Sequence, residues 1–192
     1  MGSIEDIRKN YIESITILAD RSRIEAGGAE VSLHCDKFNT RIQKGLEDVA
    51  GFDKAMEIIT NSAEKTTIDL LNSYFASPKA KEAFESFSVD EKLEAIFEIF
   101  KILGYGSLSK VSLSETSGKF VSKSTYISEG WLENEKKWKW AKRSEPVCHD
   151  VSGYLQGALS VIYGKVLGTY RVKEVSCRAK GDAQCEFQME VK

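Results

Sequence analysis

A chain of 192 residues, 42% hydrophobic and 29% charged, is long enough to bury a substantial core and has the balance of an ordinary globular protein. Its net charge of −2 leaves no general basic field for phosphate backbones, so nucleic-acid binding by the chain alone is disfavoured. No window approaches the roughly 20 apolar residues that a membrane span needs.

The acidic start, Met1-Gly2-Ser3-Ile4-Glu5-Asp6, lacks the basic and apolar regions of a signal peptide. The reading is cytoplasmic, a compartment where thiols stay reduced and clustered cysteines more often bind metal than form disulfides. Ile4, Ile7, Tyr11, Ile15 and Leu18 recur at helical spacing, which predicts one amphipathic helix over 4–24, ended by Gly27-Gly28. Val31, Leu33 and Cys35 alternate as a short strand would; Cys35 itself reads as a lone buried thiol. Phe38, Ile42, Leu46 and Val49 return to helical spacing up to Gly51, and Phe52 to Phe75 carries another helical stripe. A short helix follows Ser77-Pro78. Ser88-Val89-Asp90-Glu91 has the spacing of a capping box for a helix that stops near Gly104.

After Gly106 the period changes to two. Leu108, Val111 and Leu113, then Phe120, Ser122, Ser124 and Tyr126, fit two antiparallel strands around Ser117-Gly118. Residues 131–144 mix Trp131, Trp138 and Trp140 with five basic residues and read as an exposed strand or loop whose tryptophans shelter a cavity or a partner surface. Pro146 suits the first turn of a helix that runs to about Tyr163. Gly153 and Gly157 stack on one side of it, at about 1 kcal/mol of helix propensity each, which implies close approach by a strand or a ligand. Tyr170–Arg178 and Gln184–Val191 form a hairpin turning at Gly181-Asp182.

Cys177 and Cys185 are equidistant from Gly181, so in that hairpin they face one another at a separation of about 5 Å between Cβ atoms, suited to one shared zinc. Cys148 offers a third sulfur. The fourth ligand is Glu174 or His149. Residues three apart in a regular strand point to opposite faces, so Glu174 can join Cys177 only if a bulge falls between them. Without metal, the three cysteines are small buried hydrophobes, or Cys177 and Cys185 pair as a disulfide.

Pro146-Val147-Cys148, Gly153-Tyr154-Leu155-Gln156-Gly157 and Glu174-Val175-Ser176-Cys177-Arg178-Ala179-Lys180-Gly181-Asp182-Ala183-Gln184-Cys185-Glu186-Phe187 together resemble the 4-vinyl reductase domain family. That family is similar to the zinc-containing sensor domains of phenol-responsive transcription activators. The resemblance implies a zinc site of Cys148, Glu174, Cys177 and Cys185, a small ligand held nearby, and a homodimer. It also implies an α+β fold: a helical N-terminal half, then an antiparallel sheet with a packed helix, β-β-α-β-β in the C-terminal half.

Residues 1–104 are read as a helical scaffold, dimerisation surface or lid, and 105–192 as the ligand-binding region, together one compact domain. The candidate ligand contacts are Tyr126, Trp131, Tyr154, Gly157 and Ala158. The phenol sensors use a His and a Trp upstream of the first zinc cysteine, whereas His34 and His149 stand elsewhere, so a more apolar, hydrocarbon-like ligand is implied. The expected function is zinc-braced binding or sensing of a small hydrophobic molecule. The alternatives are an accessory subunit of a tetrapyrrole vinyl-group reductase, although no Gly-x-Gly-x-x-Gly is present for a dinucleotide, and a dimeric scaffold protein. The residues supply no catalytic constellation.

Overall fold

Local capping chemistry starts the chain. In the computed structural model, which describes residues 3–192, Ser3 caps α1 (Ile4–Glu13): its hydroxyl accepts the Asp6 N–H, and the Asp6 carboxylate accepts the Ser3 N–H at 2.8 Å. The helix is shorter than its apolar spacing predicts. Thr16 and Ile17 are β-branched, stiff at χ1 and better suited to a strand. They lie in β1 (Thr16–Leu18), which pairs antiparallel with β2 (Arg23–Ala26), itself paired with β3 (Ala29–Val31). Gly27 and Gly28 form the two-residue turn between β2 and β3, with φ of +60° and +83°. That geometry favours glycine and matches the right-handed twist of a hairpin. Cys35 lies beyond β3, exposed rather than buried.

Four helices follow: α2 (Asp36–Ala50), α3 (Phe52–Phe75), α4 (Pro78–Ser86) and α5 (Val89–Ile102). The capping box read at Ser88 and Glu91 opens α5, with the Ser88 N–H donating to Glu91 at 2.8 Å. Then come β4 (Ser109–Leu113), β5 (Ser117–Ser122), α6 (Tyr126–Trp138), α7 (His149–Tyr163), β6 (Tyr170–Ser176) and β7 (Cys185–Val191). The last four strands make an antiparallel sheet in the order β4-β5-β7-β6. The α+β expectation is borne out, with one more helix, α6, between the two strand pairs. That helix replaces the exposed strand or loop read at 131–144: Thr125 caps it, and Ile127, Gly130, Trp131 and Asn134 turn inward at helical spacing. Helix α7 starts three residues after Pro146, with Cys148 at its N-cap.

One contiguous apolar cluster joins the layers. Phe120, Tyr170, Phe187 and Met189 from the sheet meet Leu155 and Leu159 of α7, Ile96 and Phe100 of α5, and Ile7 and Tyr11 of α1. The glycines of α7 do mark a close approach, but by helix α3 rather than by a strand or a ligand. A Cβ on Gly157 would lie 2.7 Å from the Glu64 carbonyl oxygen, and one on Gly153 would collide with the Thr60 carbonyl. Buried Glu64 then ties α3 to the rest, accepting the Gln156 side-chain N–H and the Gly168 N–H, each at 2.8 Å. No helix among the described residues is long and apolar enough to cross a membrane.

Candidate metal centre and neighbouring cavity

A bulge in β6 brings the chemistry-bearing residues of the hairpin to one side. Pairing with β7 runs regularly from Tyr170↔Val191 to Glu174↔Phe187, then shifts so that Ser176 faces Glu186. Val175 is therefore an extra residue on one strand. Before it, Tyr170, Val172 and Glu174 are buried; after it, the inward position is Cys177. Continuing the shifted register by one residue brings Cys177 level with Cys185. The turn is held from within: Gly181 takes φ of +101°, and the Asp182 carboxylate accepts the Cys177 N–H at 2.7 Å. From the other side, Glu174 Oε2 accepts the N–H of Cys148 at 2.8 Å, which fixes the N-cap of α7 against the sheet.

The ligand atoms of Cys148, Glu174, Cys177 and Cys185 all lie within 4.8 Å of one another, and all four residues are buried. Cys148 Sγ stands 3.7 Å from Cys185 Sγ. That is far beyond a disulfide bond, and the three cysteines are free thiols. It is close to the ~3.8 Å ligand spacing of a tetrahedral ion with bonds of about 2.3 Å to sulfur.

The electrostatics suit a cation as well. Glu174 Oε1 is buried with no hydrogen-bond partner. Burial, with Cys177 adding, pushes the Glu174 carboxyl up to about 8. Hydrogen bonds from the Cys148 and Cys177 thiols pull Cys185 down to about 5, while burial drives Cys148 upward. A sulfur and a carboxylate that favour negative charge share a dry space with no cationic side chain in the set. Thr125 Oγ1 lies 3.1 Å from Cys148 Sγ and supports that sulfur from outside.

His149, the rival fourth ligand, is elsewhere. Its ring packs edge-on to Phe52 at 5.4 Å, and burial lowers its pKa to about 4. Beside it, Arg143 grips Glu47 with two hydrogen bonds of 2.5 and 2.9 Å and lies over the Trp131 ring at 4.3 Å. This clamp holds the segment leading to Cys148, helped by Gln43, whose side chain donates to the Val147 carbonyl at 3.1 Å. Both charged side chains are nearly inaccessible, at 12% and 9%. Removing one partner leaves the other buried and unpaired, which costs about 3–5 kcal/mol. Arg143→Ala is therefore expected to lower urea-denaturation stability by about that much, whereas the double change Glu47→Leu with Arg143→Met restores most of it.

A cavity of about 560 Å3 opens on the opposite side of the first turns of α7, between β3, α3 and the end of α5. Tyr126 and Tyr154, two of the five candidate ligand contacts, line it. Trp131, Gly157 and Ala158 do not: Trp131 is buried against Trp140 and Arg143, and Gly157 faces α3. The lining instead adds Tyr11, Tyr105 and Asp150. Burial pushes the Tyr105 hydroxyl up, with Asp150 adding, and pushes the Asp150 carboxyl up to about 7. One signal for Asp150 is present in the sequence: it stands four residues before Tyr154 and so on the same helix face. Tyr11 and Tyr105 reach the cavity only through the tertiary fold.

Over its whole length the chain is similar in fold to the phenol-responsive sensory domain of the transcription activator PoxR, solved with phenol: TM-score 0.78, 16% identity, covering 100% of this chain and 91% of that one. It is similar also to trafficking protein particle complex subunit 3 from Naegleria fowleri, covalently bound to palmitic acid, with TM-score 0.54 and 13% identity over 82% of this chain and 95% of that one. A vinyl-4-reductase family protein from Methanocaldococcus jannaschii aligns with TM-score 0.45 and 19% identity over 82% of this chain and 90% of that one. No curated protein matches the sequence. Residues 138–191 match the family model of the vinyl-4-reductase domain, the segment that contains Cys148, the bulged strand and both hairpin cysteines, so the family resemblance carried by those motifs is borne out: this segment is a vinyl-4-reductase domain.

Proposed function

We propose that this chain is a small-molecule-binding sensor domain, braced by zinc at Cys148, Glu174, Cys177 and Cys185, and working as a cytoplasmic homodimer. The observation that carries the reading is the convergence of four buried donor atoms on one point, with Glu174 Oε1 left without a partner. Three sulfurs and one carboxylate suit zinc and complete a tetrahedron, which makes the site structural rather than catalytic. When bound, zinc supplies a fixed anchor among β6, β7 and the start of α7.

The same first turns of α7 present Asp150 and Tyr154 to the cavity, whose volume lies in the usual range for small-molecule sites. Phenol and palmitic acid in two proteins of similar fold support a ligand with an apolar body. The dimer reading is supported by α2, which is turned inside out. It buries Thr40 and Gln43, while Phe38, Ile42 and Val49 face solvent, Val49 at 89% exposure. An apolar stripe left in water marks an association surface.

Native mass spectrometry of the full chain is expected to show a dimer carrying one zinc per chain, with additional small-molecule mass retained under gentle conditions. A metal-free monomer, prepared under reducing conditions without chelator, would end this reading.

A further inference from the structure

The cavity is walled by four tyrosines (Tyr11, Tyr105, Tyr126 and Tyr154) and three carboxylates, and among the described residues no lysine or arginine lines it. The carboxylates are not equivalent. Glu30 is paired with Arg23 at 3.2 Å, and Asp69 is exposed at the rim. Asp150 sits deeper, and its carboxylate accepts only the N–H of the adjoining Val151, at 2.8 Å.

Nor are the tyrosines equivalent. The Tyr154 hydroxyl is committed to the Ile96 carbonyl at 2.7 Å. The Tyr126 hydroxyl donates to the His34 carbonyl at 2.9 Å and accepts from Asn39 at 2.8 Å. With their hydroxyls engaged, these two residues offer ring surface. Tyr105 packs beside Tyr126, with ring centroids 6.0 Å apart. Tyr11 differs again: it is fully buried, and its hydroxyl has no hydrogen-bond partner.

Aromatic faces with an unanswered carboxylate and no competing basic side chain make a site for an organic cation. Resting on the cavity reading proposed above, we infer that the ligand is an amine: a primary or secondary ammonium on an apolar or aromatic body. The ammonium pairs with Asp150 and lies against the tyrosine rings, and the Tyr11 hydroxyl is a further hydrogen-bond partner in the same cavity. A buried polar partner left unmet by a neutral ligand is what discriminates between otherwise isosteric molecules.

The test is calorimetric titration of the full-length protein with matched phenylalkyl and n-alkyl series, each body carried as amine, alcohol and carboxylate (2-phenylethylamine, 2-phenylethanol and phenylacetate, for example). The best amine is expected to bind at least tenfold more tightly than its alcohol, and the carboxylates not at all. Asp150→Asn is expected to erase the preference for amine over alcohol while alcohol binding and metal content stay unchanged. Asp69→Asn, on the rim, is expected to alter amine affinity by less than threefold.

Alcohols that bind as tightly as their amines would overturn the cation assignment and leave the small-molecule reading intact. If no member of any series binds at millimolar concentration, the cavity reading falls and the assignment with it. Should Asp150→Asn not fold, the comparison of amine with alcohol on the wild-type protein decides alone.

Discussion

Cys185→Ser is expected to drop zinc content from about one per chain to near zero and to lower the melting temperature by about 10 °C. The size follows from what the substitution exposes. Cys185 lies in a dry cluster whose other members are two thiols and a carboxylate with an unpartnered oxygen. Without an ion to answer them, those groups are left as buried, uncompensated polar atoms, at about 3–5 kcal/mol by comparison with broken buried ion pairs. For a chain of this length each kcal/mol moves the midpoint by about 2–4 °C. Two controls separate metal loss from the substitution itself. A strong chelator applied to the unaltered protein is expected to produce a shift of similar size. Cys35→Ser, at an exposed position outside the cluster, is expected to change neither metal content nor midpoint. A midpoint that neither Cys185→Ser nor chelator moves would remove zinc from the account.

Gly153→Ala is the second large effect, and its sign runs against helix propensity. Alanine in place of glycine within a helix normally stabilises by about 1 kcal/mol. At Gly153, however, the added methyl would meet the Thr60 carbonyl oxygen, the Ala63 side chain at 2.7 Å and the Glu64 nitrogen at 2.9 Å. Two of these three are backbone atoms of a neighbouring helix, so relief requires α3 and α7 to separate. Overpacking of this kind costs about 1–3 kcal/mol and sometimes more. The gap it opens would also weaken the Glu64–Gln156 hydrogen bond, 2.8 Å long, that runs between the same helices. We expect a net loss of about 2–3 kcal/mol in urea denaturation. Gly45→Ala in α2 provides the contrast: nothing lies within 4 Å of the new methyl, so the change should stabilise by about 1 kcal/mol. Equal effects at the two positions would show that the α3–α7 contact is looser than described.

These two regions differ in how far they can be read without coordinates. The metal cluster is legible because its geometry is local. Cys177 and Cys185 flank a turn, and the need for a bulge after Glu174 follows from the period of a strand alone. Gly153 and Gly157 announce a close neighbour, but spacing within one helix carries no information about which element approaches, so nothing in it points to α3. The N-terminal meander is hidden for a different reason. Ile4 to Leu18 keeps helical spacing by coincidence across the end of α1, and Gly27-Gly28 suits a helix stop as well as the hairpin turn it forms. Helix α6 is masked by its charge and its tryptophans, although Thr125 three residues before Ser128 offers a cap. The cavity is least legible of all. Tyr11, Tyr105 and Asp150 are brought together from three separate parts of the chain by long-range packing, and no short motif encodes such a meeting.

Val175 itself contributes almost nothing that depends on its side chain, which is partly exposed at 37%. Its presence, rather than its chemistry, turns the second half of β6 over and lets an acid and a thiol three positions apart look inward together. Position 175 is thus free in spelling and fixed in number: many residues would serve there, but a strand one residue shorter would aim Cys177 outward while leaving every donor in the chain intact.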